Sequence, residues 1–209
     1  MAALACMAAV AGAQPVKTHR EFIMNFQGGI NWTSLQISDT SLESGYKQGW
    51  DVGMAMEFYM GRRQQFAYIV GLLGGKSAAS WNRPTDDGVY AAGEYMASYV
   101  DLSAFAGLRY LFRNGIYLEL DPVFSLPFNQ KVKKPDGSTV QGDVNNPDKD
   151  IFAFGLNYSL GYTISDFVLV FCRVRQNFAD VLQHERYNPL SIKEKPLTFE
   201  LGMSFGIGF

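Results

Sequence analysis

Glu119 and Asp121 stand two residues apart in the run IYLELDPV that begins at Ile116, so on an extended chain both carboxylates share one face. Two acids crowded in a dry site can share one proton and do acid/base work. Arg109 argues for a different role, because a guanidinium beside them neutralises the pair and makes a structural bridge. A second constellation is His184 with Glu185 and the loop serine Ser191, the residue types of a nucleophile and its base in acyl transfer to lipid. A solvated loop histidine is the plainer reading of the same residues. VGLLGGKS, from Val70 to Ser77, has Val70 where a phosphate-binding loop needs its first glycine, and no helix follows. His19, His184, Cys6 and Cys172 show no metal-ligand spacing. The expected complement is no catalytic residue, no metal and no cofactor.

The elements that would hold these side chains are strands. From Leu197 to Phe209 every second residue is apolar (Leu197, Phe199, Leu201, Met203, Phe205, Ile207, Phe209), alternating with Thr198, Glu200, Gly202, Ser204, Gly206 and Gly208. Thirteen unbroken residues of period two is the length a tilted strand needs to cross a bilayer. The pattern recurs, predicting strands over about 21–35, 46–60, 64–76, 94–112, 116–130, 151–164, 168–179 and 196–209. Short connections (61–63, 113–115, 165–167) alternate with long polar ones (36–45, 77–93, 131–150, 180–195). Pro122 and Pro127 predict a local break in the fifth ladder.

Composition narrows the class. Aromatic residues make up 14% and charged residues 18% of 209 residues, and the mean hydropathy is −0.05, so apolar and polar residues are interleaved. No run of about 18 apolar residues exists, which excludes a helical span. A net charge of −2 removes the basic footprint of a nucleic-acid binder. Residues 1–13 read as a signal peptide closing on Ala11-Gly12-Ala13, although a basic leader is missing, and residues 14–209 read as one barrel domain. Cys6 lies in a poor lipoprotein context. After cleavage Cys172 is the remaining cysteine, so export here implies no disulfide framework.

An even strand number with short turns at one end and long loops at the other predicts an all-β fold: an eight-stranded antiparallel up-and-down transmembrane β-barrel. A soluble sandwich gives similar alternation, and the charges decide between them. In a narrow lumen an unpaired charge costs several kcal/mol, so opposite signs must face one another. If Phe112 pairs with Ile116, Arg109 falls opposite Glu119 and Gly107 opposite Asp121. Arg173 and Arg175 share the inward parity of Asp51, Glu57, Asp101 and Glu200, so six inward acids meet three arginines. The acid surplus calls for water, for raised carboxyl pKa values or for Lys47 at the rim. Trp32, Trp50, Tyr59, Tyr110, Phe112, Tyr158 and Tyr162 lie where interfacial girdles belong.

The cleavage context AGAQ, the strand FQGGINWTSL, the run SYVDLSAFAGLRYLF followed by NGIYLELDPVFSLPF, and the closing FELGMSFGIGF resemble the eight-stranded outer-membrane barrels of Bacteroidota, the PorT-like proteins, with the architecture of OmpX and the OmpA membrane domain. The resemblance implies a bacterial outer-membrane location. It also implies a terminal aromatic signal at Phe205, Ile207 and Phe209 for the barrel-assembly machinery. It carries over no catalytic residues. The expected function is a non-enzymatic scaffold in outer-membrane lipid whose external loops, above all Ser77–Gly93 and Lys131–Asp150, meet an unknown partner. The alternatives are a lipid-modifying enzyme and a soluble periplasmic barrel holding an apolar ligand among Phe199, Leu201 and Phe205.

Overall fold

The computed structural model describes residues 22–37, 42–60, 64–86, 91–141, 152–165, 167–178 and 194–208. They form nine strands: β1 (Phe22–Ile37), β2 (Glu43–Met60), β3 (Phe66–Arg83), β4 (Gly93–Leu111), β5 (Ile116–Lys133), β6 (Thr139–Gln141), β7 (Ala153–Ser165), β8 (Val168–Asn177) and β9 (Glu194–Gly208). Eight of them close a ring in the order β4-β3-β2-β1-β9-β8-β7-β5, with β5 returning to β4, and every pairing is antiparallel. Closure leaves no ring strand with an unpaired edge. The three-residue β6 is a flap that folds back on the upper end of β5 through the turn at Lys134–Ser138.

The alternation seen in the sequence becomes two surfaces. On β4 Asp101, Ser103, Phe105 and Arg109 are buried while Leu102 and Leu108 are exposed, and β9 buries Thr198, Glu200 and Ser204 while exposing Phe199, Leu201, Met203, Phe205 and Ile207. Leu201 is 51% exposed and Arg173 is 2% exposed. A soluble barrel has the opposite arrangement. The side chains of Phe199, Leu201 and Phe205 line no inner cavity, which removes the apolar-ligand alternative. Among the described residues no charged side chain takes the outward parity along the apolar band, from Phe66 to Gly74 on β3 and Val100 to Tyr110 on β4, for example. A band of this kind is the wall of a membrane-spanning barrel.

Two expectations are corrected. β3 runs on to Arg83, so Ser77–Arg83 is wall and paired with β4 rather than part of a loop. The second long connection is therefore 84–92, of which 87–90 lie outside the described residues. Lys131–Lys133 likewise belongs to β5, and the third connection opens at Lys134. The fifth ladder breaks at two places. Pairing with β4 lapses between Phe105 and Leu108, opposite Pro122, which has no N–H to donate and where the sequence predicts a break, whereas Pro127 stays paired with Asp101. The second place carries no proline: the register slips between Ser98 and Val100, opposite Asn129, whose φ is 52°.

The lumen also differs from a uniformly polar interior. Ala55, Ile69, Leu73, Phe105 and Val123 form an apolar cluster against the β3 side, and Leu35, Ala79, Trp81, Tyr95, Ala97 and Val132 form a second one at the loop end. Eight strands enclose only enough width for side chains to fill, and the filling follows one rule. Three aromatic side chains on the inward parity each lie across the ladder from a glycine: Phe105 opposite Gly71, Tyr117 opposite Gly161 and Phe171 opposite Gly202. The glycines leave the space the rings occupy; a Cβ on any of them would collide with the facing ring.

Candidate functional site

The packed lumen buries nine charged side chains. The tight turn after β4 sets its register: Phe112 N donates to Ile116 O (2.8 Å), Gly115 sits at φ 85°, and Ile116 N donates to Asn114 Oδ1 (3.2 Å). That register puts Arg109 opposite Glu119. Arg109 Nε donates to Glu119 Oε2 at 2.7 Å, and its two terminal nitrogens contact Glu119 and Glu57. Glu57 in turn accepts from Asn25 and from Tyr59 Oη (2.8 Å). The Arg109 guanidinium lies 4.2 Å above the Tyr117 ring, one of the aromatics seated over glycine.

Toward the loops, Arg173 Nη1 donates to Glu200 Oε2 (3.2 Å), Nη2 to Gln27 Oε1 (3.0 Å) and Nε to Ser159 Oγ (3.3 Å), with Glu119 Oε1 at 3.8 Å. Its guanidinium is flanked by Phe171 at 4.6 Å and Phe105 at 5.8 Å. Glu119 thus stands between Arg109 and Arg173. One level higher Arg175 donates to Asp101 Oδ2 and to Asn157 Oδ1, each at 3.2 Å, while Ser103 bridges Asp101 (2.9 Å) and Ser125 (2.7 Å). Asp51 Oδ2 accepts from Asn31 at 2.6 Å, so the asparagine of the sequon-like Asn31-Trp32-Thr33 is a lumen side chain. Above this layer a small cavity of about 10 Å³ is lined by Ser77, Tyr99, Asp101, Arg175, Asn177 and Thr198. That is room for about one water molecule.

The structure places all nine charged residues singled out in the sequence, Arg109, Glu119, Asp121, Arg173, Arg175, Asp51, Glu57, Asp101 and Glu200, in the buried interior. It joins eight of them to a partner. Asp121 is the exception: it is fully buried over Gly107, and among the described residues its side chain meets the Glu119 carboxyl instead of a cation or an amide. Lys47 does not offset the acid surplus. It bridges Glu94 at 2.7 Å on the rim, where that contact and a hydrogen bond to Ser80 hold the Glu94 carboxyl below its usual range. Of the assembly residues, Phe205 and Ile207 face outward on β9 and Phe209 lies outside the described residues. So do His19, His184, Glu185, Ser191 and residues 1–13.

Sequence reasoning missed the aromatics that support the guanidiniums. Phe105, Tyr117 and Phe171 break the alternation by standing on the polar parity, and each has a glycine on the facing strand. That combination was the available signal.

This arrangement holds three guanidiniums and six carboxyl groups in fixed geometry, with apolar clusters beside and above them. Neither a known family profile nor any curated protein matches the sequence. Among solved structures, Ail of Yersinia pestis, crystallised with the heparin analogue sucrose octasulfate, is 11% identical over 90% of this chain and 99% of its own, with a TM-score of 0.47. Neisserial surface protein A is 11% identical over 87% and 96% (TM-score 0.48), and the outer membrane protein OprG of Pseudomonas aeruginosa is 10% identical over 90% and 97% (TM-score 0.49). The ring of eight strands itself rests on this chain's own register.

Proposed function

We propose that the chain is a non-enzymatic outer-membrane barrel, closed to diffusion, that serves as a rigid frame for its external connections. The observation that carries this reading is the inversion of the barrel: lipid-suited side chains outside, and inside a lumen filled by the Arg109, Arg173 and Arg175 networks with Leu35, Trp81, Tyr95 and Val132 packed above them. A wall of this kind needs hydrocarbon around it, and a lumen of this kind leaves no water-filled passage. The connections at the β1 start and β9 end, with those after β2, β4 and β7, face the periplasm. The connections after β1, β3, β6 and β8 face outward and are where a partner would bind. Phe205 and Ile207, exposed on the strand that pairs with both β8 and β1, fit an assembly signal read by the barrel-assembly machinery.

Cell fractionation combined with gel migration of heated and unheated samples tests the reading. The protein should fractionate with the outer membrane, need detergent for extraction and migrate faster before heating. Detergent-free solubility would overturn it. A lipid-modifying enzyme predicts altered lipid A or phospholipid that is lost in His184→Ala; unaltered lipids remove that alternative.

A further inference from the structure

We infer that the outer wall carries a binding surface for phosphate-bearing anionic lipid, formed by Lys76 on β3 with Lys131 and Lys133 on β5; this inference rests on the membrane reading above. All three take the outward parity. Lys76 lies between buried Gly75 and Ser77, and Lys131 and Lys133 flank buried Val132. β4 joins them: Lys76 pairs with Val100, and two residues on Ser98 pairs with Lys131 and Met96 with Lys133. The Asn129 bulge is what delivers this grouping. Without the extra residue the parity of β5 beyond Phe128 would be reversed, and the lysines would point into the lumen while Val132 faced lipid.

Their height is that of the headgroups. From Phe66, whose ring packs tilted against Tyr110 with centroids 4.8 Å apart, to Lys76 is ten residues of β3, roughly 25 Å along the axis for a strand tilted by about 40°, which matches the apolar band of a membrane barrel. Lysine on the outward parity is tolerated at that edge and not at the midplane. Trp50, the β2 partner of Lys76, and Phe128 on β5 mark the same edge with exposed rings. Among the described residues none of the three lysines has an ion pair, and the neighbouring acids are engaged: Glu94 by Lys47, and Asp136 of the β5–β6 turn by Ser138 N at 2.8 Å. Unpaired ammonium groups beside an aromatic ring at headgroup depth are suited to lipid-linked phosphate.

The test is native mass spectrometry of the full-length protein in detergent with lipid A, phosphatidylglycerol, phosphatidylcholine or inorganic phosphate. The wild type should retain lipid A and phosphatidylglycerol over phosphatidylcholine, and K76Q/K131Q/K133Q should lose about tenfold in that retention, with heat-modifiable migration intact. Lys195→Gln on β9, beyond β1 and β2, should change nothing. If the triple variant does not fold, Lys76→Gln alone should lose part of the preference. Equal retention by wild type and variant, no preference over phosphatidylcholine, or an equal response to inorganic phosphate would each overturn the inference while leaving the barrel reading in place. Wild-type protein that is soluble without detergent would overturn both.

Discussion

At the residue scale the lumen sets adjacent carboxylates in opposite circumstances. Glu119 lies between two guanidiniums, whereas Asp121, two residues along, meets no guanidinium among the described residues and faces the Glu119 carboxyl. Removing one member of a buried ion pair leaves an uncompensated charge and costs roughly 3–5 kcal/mol. Arg109→Ala, which strands both Glu57 and Glu119, should lower the urea midpoint of the folded barrel by about that much. Asp121→Asn keeps the shape and removes an acid crowded against Glu119, so its midpoint should equal or exceed that of the wild type. A midpoint that falls as far in Asp121→Asn as in Arg109→Ala would show that the Asp121 carboxyl is held by a cation. On the rim the depressed Glu94 carboxyl stabilises the Lys47 contact above its unfolded range and loses that contribution as pH falls through the folded value. Lys47→Gln should move the Glu94 titration, followed by carboxyl NMR, upward toward an ordinary glutamate. The pairing of Arg109 with Glu119 was legible because a short turn fixes register. The seats of Phe105 and Phe171 beside Arg173 were not, because they depend on which strands become neighbours across the ring.

At the scale of elements, alternation located all eight ring strands but not where they end. Beyond Lys76, β3 buries five residues in succession, Ser77 to Trp81, since Ser80 is covered from outside by Gly45 of β2 and by Glu94; period two vanishes there and the segment imitates a loop. The bulge was not legible for a related reason: the proline that interrupts pairing at Pro122 is visible in a sequence, whereas the left-handed backbone of Asn129 is not. Asn129→Val should cost about 1–2 kcal/mol in the same denaturant assay, and Asn129→Gly should be tolerated. The glycine seats give a sharper contrast. An added Cβ at Gly202 meets Phe171 and, at 2.8 Å, the Gly28 carbonyl oxygen, while one at Gly74 meets nothing within 4 Å. Gly202→Ala should destabilise the barrel by about 1–3 kcal/mol or abolish the fast-migrating band; Gly74→Ala should leave both unchanged. Equal behaviour of the two would mean that Phe171 has another place to go.

For the molecule as a whole, the filled lumen predicts electrical silence. Purified protein in planar bilayers should show no stepwise conductance above the lipid background, and Trp81→Ala should remain silent, because the three arginine layers beneath it are untouched. Regular steps from the wild type would contradict a packed interior. The general plan was readable because membrane barrels invert the usual partition of side chains and long alternating runs expose that inversion. The partner of the external connections was not, since recognition there depends on loop conformation and not on any period in the chain.

The seam between β1 and β9 also constrains how the molecule is made. Residues Ile23–Ile37 zip along Gly208–Glu194, so β1 waits for β9, made after it, before the cylinder is sealed. Until then both ribbons carry bare amide edges that hydrocarbon does not tolerate. Insertion therefore has to follow translation, in company that shields the two open margins, and a chain shortened by its final ribbon has no route to a stable resting place in the bilayer.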